Sequence, residues 1–316
     1  EALARSAGSQ LGNRGEVSRF KYRDREAALM ELLFVMSGAS YSGWALCVEL
    51  DRPEGAASGS KPPLLIALAY GPAQGGFDDL HLSALNSLAP SDADLYAPGP
   101  VMEFGWPRGE RIPVILAGNG VGTWVREYDA EASQALVERE YLVLERYAAS
   151  SLWQEAWTRF YRIIYRDAFD RLAEAAFDLE RFWTRSSFPS AEEDRGKLNR
   201  DLASSALAWV QSFSYERNST GSDFVNPVSA ALEGRGDCDS RALLWALILQ
   251  QADIPAAMMV SREYSHAMGL AELPGEGARF PDGDLEWLVA ETTEKVALGL
   301  IGASVSDPAK WFAIRF

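Results

Sequence analysis

Apolar and polar positions along the chain change their period near residue 128. Before that point, extended apolar runs cover 44–50, 64–70, 101–106, 112–117 and 123–128. Turn chemistry separates them, as Arg52-Pro53-Glu54-Gly55, Pro98-Gly99-Pro100 and Gly118-Asn119-Gly120. Residues 32–35 continue a short helical pattern that starts at Arg25. The region 17–128 therefore reads as a β-rich N-terminal domain that carries no interpretable motif. The small, polar residues 1–16 read as poorly ordered. The GNGVG stretch at 118–122 lacks a following helix and a lysine, so a hairpin turn is a better reading than a phosphate loop.

From Asp129 the pattern turns helical. Apolar residues recur three and four apart through 130–149, at Leu136, Tyr141, Leu142, Leu144 and Tyr147. A second helical region, 151–185, carries an aromatic stripe that includes Trp153, Trp157 and Tyr161, read as core packing. A polar break at 186–195 closes this helical connecting region, 129–195. A third helix is expected over about 196–212, then a short one at 228–232 and another at 238–251. Asp253-Ile254-Pro255 stops that helix and starts a strand at 256–261. A strand from His266 to Glu272, a polar loop at 274–284 and a last strand at 286–290 follow. The expected fold class is α+β, with 196–316 as the C-terminal domain.

Composition narrows the partners. The net charge of −15 opposes binding to a phosphate backbone, so no nucleic acid is expected. It equally disfavours anionic lipid surfaces. No apolar run is long and uninterrupted enough to span a bilayer. Glu1 in place of a methionine fits a removed secretory signal, which points to an extracytoplasmic location. Asn218-Ser219-Thr220 matches a glycosylation sequon by composition and is read as a chance occurrence.

The chain has two cysteines and two histidines, and one of each falls in the C-terminal stretch. Cys238 follows Gly234-Arg235-Gly236-Asp237 at the start of the 238–251 helix, where the backbone dipole and free N–H groups favour a thiolate. This predicts a thiol that ionises below a free cysteine. Thiol acyl transfer needs a nucleophile, a base beside it and a group orienting the base. Cys238, His266 and Glu291 supply these residue types in order. Asp282 and Asp284 in the preceding loop are alternative acids. The Cys238 N–H is one oxyanion-hole donor, and Gln211 and Tyr215 are candidates for the second. Asp237 and Asp239 read as acids complementing the helix start. Cys47, in an apolar strand, and His81, in a loop after Asp78-Asp79, read as structural. No metal or cofactor is expected, because ligand spacings are missing.

A cysteine-bearing helix followed by strands bearing histidine and an acid is the order of a papain-like core. The segments Gln211-Ser212-Phe213-Ser214-Tyr215, Gly236-Asp237-Cys238-Asp239-Ser240-Arg241 with Leu243-Leu244, Asp253-Ile254-Pro255-Ala256, His266-Ala267-Met268 and Trp287-Leu288-Val289-Ala290-Glu291-Thr292-Thr293 together resemble the transglutaminase-like superfamily over residues 200–293. Met268 stands where that family has tryptophan, and Glu291 where it has aspartate. The resemblance implies a cysteine-dependent acyl transferase or hydrolase that acts on amide groups of a protein or peptide, with hydrolysis favoured over cross-linking. The competing reading is a protein-binding or scaffolding module that kept the fold and lost turnover.

Overall fold

Two tight turns set the first sheet. In this computed structural model, which describes residues 17–55, 57, 59–185, 192–217 and 221–316, β1 (Val17–Tyr22) pairs with β2 (Arg25–Met36) and β2 with β3 (Ala39–Glu49). β4 (Leu64–Pro72) completes an antiparallel sheet in the order β1-β2-β3-β4. Ser37 and Gly38 have φ of 51° and 80°, the doubly positive geometry a two-residue hairpin turn requires. Residues 1–16, the 186–191 part of the polar break and the sequon at 218–220 lie outside the described residues.

The helix expected from Arg25 is corrected to a strand. Its alanines, leucines and glutamates favour helix locally. However, β2 is hydrogen-bonded along both sides, and its two faces are both needed. Ala27 and Leu29 enter one apolar cluster, and Met30, Leu32 and Phe34 enter another. Pairing and burial override the local preference. The converse holds at 101–106, expected as extended. Pro100–Gly105 forms a short helix, α2, with Pro100 preset at its first position and the Met102 N–H donated to Asn86 Oδ1 at 2.9 Å. His81 lies in α1 (Asp78–Asn86) rather than a loop, and is buried.

By its internal contacts the chain forms two units. One runs to Arg108 and includes Leu142–Ser151; the other comprises Gly109–Tyr141 and Leu152–Phe316. The division at 108 differs from the one expected at 128. The hairpin of β5 (Arg111–Ile115) and β6 (Gly122–Arg126) belongs to the second unit, and α3 (Asp129–Tyr147) is divided. Gly118 and Gly120, at φ 76° and 69°, make the loop between β5 and β6, as the turn reading expects.

The second unit is built around one buried helix. α4 (Trp153–Arg171), α5 (Ala173–Thr184), α6 (Glu192–Gln211) and α7 (Pro227–Glu233) pack against α8 (Cys238–Gln251). α8 also lies on β7 (Ala256–Ser261) and β8 (His266–Ala271). These strands, with β9 (Arg279–Asp282), β10 (Leu285–Ala290) and β11 (Phe312–Arg315), form an antiparallel sheet in the order β11-β7-β8-β10-β9. β9 lies inside the stretch expected to be a polar loop, and β11 is too short to show a period. The fold class is α+β. Among the described residues, no helix is long and apolar enough to cross a membrane.

From Ala242 to Leu249 α8 is apolar on every side, as a helix enclosed by neighbours must be. Its Trp245 is fully buried, donates Nε1–H to the Ala203 carbonyl at 3.1 Å and lies over Gly269 of β8. A Cβ at position 269 would stand 2.4 Å from Trp245 Cε3. Gly269→Ala is therefore expected to lower the urea unfolding free energy by about 1–3 kcal/mol through overpacking. An unchanged unfolding midpoint would show that this contact does not set the spacing of helix and sheet.

Candidate active site

The turn before α8 is held from three directions. Ser214 N–H donates to the Gly234 carbonyl at 2.8 Å, and Gly236 N–H returns to the Ser214 carbonyl at 3.1 Å. Gly236 has φ 156°, and a Cβ there would lie 2.9 Å from Ser240 Cβ, so glycine is required. Arg241, 2% exposed, donates Nε–H to the Gly236 carbonyl and another N–H to the Phe213 carbonyl, both at 2.9 Å. Asp237 caps the helix by accepting from Ser240 N–H at 3.1 Å and Ser240 Oγ at 2.9 Å. Cys238 is thereby fixed as the first residue of α8, buried and unpaired with Cys47, which is also a free thiol.

His266 is the first residue of β8, immediately after the turn from β7. Its Nε2 lies 2.8 Å from Glu291 Oε2. The other carboxylate oxygen accepts from Thr293 N–H at 2.8 Å and Thr293 Oγ at 2.6 Å. Burial alone would raise the Glu291 carboxyl, but the bonds from His266 and Thr293 outweigh it and hold the group below the ordinary glutamate range. An ionised carboxylate only accepts, so His266 presents its proton on Nε2 and leaves Nδ1 as an acceptor. The Ala267 N–H, next along the strand, points at the Cys238 sulfur. Cys238 and His266 line one cavity of about 230 Å³, walled by Trp153, Trp157, Tyr161 and Phe312.

The electrostatics at the sulfur differ from the expectation. Burial pushes the Cys238 thiol well above the ordinary cysteine range, and the nearby carboxylates of Asp239 and Asp237 push it further. The Ala267 N–H works the other way and is outweighed. Sγ lies 3.2 Å from Asp239 Oδ1 as a donor. The favourable field of the helix start, a fraction of an elementary charge, is smaller than the opposing effect of desolvation and of the two acids, whose own carboxyls burial also pushes up, Asp237 to about 6. The geometry matches that direction, with the sulfur placed as a thiol donor to Asp239.

Several expected roles change with the geometry. Gln211 Nε2 donates to the Glu291 backbone carbonyl at 2.8 Å and to the Val296 carbonyl at 3.0 Å, so both its amide hydrogens are committed away from the sulfur. It is corrected from an oxyanion donor to a brace behind Glu291. Tyr215 is 56% exposed, lies under the Arg241 guanidinium at 5.6 Å and is not among the residues lining the cavity. Asp282 accepts from Arg315 at 2.6 Å and from Trp287 Nε1 at 3.3 Å, tying β9 to β11 and β10. Asp284 is exposed in the turn between β9 and β10. Of the three candidate acids, only Glu291 reaches His266. Met268 is fully buried in a cluster with Trp287 and Trp311.

Two residues near the sulfur make contacts that the sequence does not predict. Asp239 touches the thiol rather than capping the helix, and Tyr161, taken as packing, donates its hydroxyl to Asp239 Oδ2. A polar tip on an aromatic stripe was the available signal. No protein-family model, characterised protein or solved structure matches this chain.

The lowered Glu291 carboxyl has a consequence for stability. Its contribution is complete above the ordinary value of 4.5 and is lost as pH falls through the depressed folded-state value. Glu291→Gln should lower the unfolding free energy at pH 7 by about 1–2 kcal/mol. It should also flatten the decline on the acid side of the urea-midpoint profile. Parallel acid limbs in variant and wild type would remove the His266–Glu291 bond from the account.

Proposed function

We propose that the protein is a cysteine-dependent amide hydrolase of transglutaminase-like type, with a papain-like core and a peptide or protein as substrate. The reading is carried by one observation. A cysteine at the start of a buried helix and a histidine at the start of an adjacent strand line the same cavity, with a carboxylate on the far nitrogen of the imidazole. The substrate carbonyl enters between the Trp153–Phe312 wall and the sulfur. The Cys238 proton passes to His266 Nδ1 as the S–C bond forms, and Glu291 stabilises the imidazolium through Nε2. The Cys238 N–H at the helix start donates to the developing oxyanion. His266 then returns the proton to the departing amine, leaving a thioester. Water deprotonated by His266 attacks the thioester, and the acid product leaves with the thiol restored.

Because the resting sulfur is protonated, attack is general-base catalysed and does not start from a preformed thiolate–imidazolium pair. The same raised thiol is the observation favouring the second reading, a binding module without turnover. A casein digest separates the two. Cys238→Ala and His266→Ala should each lower kcat/KM by about 10³-fold or more, and Glu291→Gln should lower kcat by at least ~10-fold. Release of peptides or ammonia without incorporation of a fluorescent primary amine supports hydrolysis, and incorporation supports cross-linking. Absence of both, at the level of Cys238→Ala, supports the binding module.

A further inference from the structure

Asp237 makes the side-chain capping bonds of α8, and Asp239, an acid in its first turn, makes none of them. Its carboxylate has no ion-pair partner among the described residues: Arg217 binds Asp223 at 2.9 Å and approaches Asp237 at 4.0 Å. Instead, Oδ1 accepts from the Cys238 thiol at 3.2 Å and Oδ2 accepts from the Tyr161 hydroxyl. Tyr161 is 0% exposed and is packed by the rings of Phe160, Trp157 and Phe224, with centroids 5.2, 5.6 and 6.1 Å away. Its hydroxyl cannot swing away without disturbing that cluster. No Cys238–His266 hydrogen bond occurs among the described contacts of the sulfur, whose side-chain partner is Asp239.

We propose that Asp239 and Tyr161 form a catch on the nucleophile: the thiol is bonded to Asp239 in the resting protein, Tyr161 fixes that carboxylate in place, and the sulfur reaches His266 only when the bond to Asp239 is released. Asp239 touches the reacting atom; Tyr161 is a positioning residue. The inference rests on Cys238 being the nucleophile. On release, an S–H···O contact is exchanged for S–H···N, and the proton moves from sulfur to Nδ1 as the S–C bond forms. The Asp239 carboxylate remains bonded to Tyr161, and no electrons change hands. The titratable groups that line the cavity with the sulfur are Tyr161 from α4, Asp237 just before α8, Asp239 from α8, His266 from β8, Arg217 and Asp223 from the segment before α7, and Arg262 from the turn before β8. Of these, Asp239 is the one whose carboxylate accepts the thiol.

The test is the rate of Cys238 alkylation by iodoacetamide against pH, read by mass spectrometry so that Cys47 is counted separately. Asp239→Asn removes the charge and should move the thiol ionisation down by at least about one pH unit, raising alkylation at pH 7 by about tenfold. Tyr161→Phe removes the donor to Oδ2 and leaves a more basic carboxylate, so its ionisation should move up. A purely structural role would loosen the site in both variants and shift both profiles the same way, which overturns the catch. So does an Asp239→Asn profile that is unchanged or moved up. If Asp239→Asn does not fold, the wild-type and Tyr161→Phe profiles decide, and a wild-type ionisation below that of a free thiol overturns it. Alkylation requires no turnover, so a catch can be established even if casein hydrolysis fails, and the reverse.

Discussion

The seating of α8 on β7 and β8 is the constraint from which the second unit follows. A helix enclosed by strands and by four other helices has little solvent to complete its backbone hydrogen bonds at the start, so an N–H there that is turned away from the cavity needs a protein partner. Asp237 meets that need with its side chain, Arg241 ties the preceding turn to α8, and Gly236 adopts a backbone that a side chain would block. Trp245 over Gly269 sets the helix-to-sheet distance. Once these are satisfied, residue 238 has one position, at the mouth of a cavity and beside the first residues of β8.

The same enclosure explains the state of the thiol. A helix N-terminus favours an anion, and in water that effect would lower the thiol's pKa. Burial weakens solvation of the thiolate, and the low dielectric magnifies the repulsion from Asp237 and Asp239. The two carboxylates next to Cys238 therefore matter more than the dipole. His266 experiences the opposite arrangement, with an ionised carboxylate on its far nitrogen. A thiol disfavoured as an anion and an imidazole oriented by a carboxylate thus line one cavity.

Legibility of the chain varied with how local the cause was. The bounds of α8, β7 and β8 agree closely with the pattern because Gly234-Arg235-Gly236-Asp237 and Asp253-Ile254-Pro255 punctuate the chain on both sides. The pairing of His266 with Glu291 in preference to Asp282 or Asp284 was open in the sequence. It was settled by the register of β10 on β8, which carries the chain from Ala290 into Glu291 beside the start of β8. β2 was misread because its composition suits a helix and only partners on both sides make it a strand. Gln211 was misread because an amide's direction depends on which carbonyls lie near it, here those of Glu291 and Val296.

The order of cysteine, histidine and acid, the turns that frame them, the charge and the α+β class were written in the sequence. The turns depend on neighbouring residues, the charge on composition, and the class on the order of the patterns along the chain. Tertiary structure alone decided the thiol's proton, the choice among three acids and the bond from Tyr161 in α4 to Asp239 in α8. The choice of acid and the Tyr161 bond depend on atoms from segments far apart in sequence, and the thiol's state depends on the burial that gives its neighbours Asp237 and Asp239 their weight.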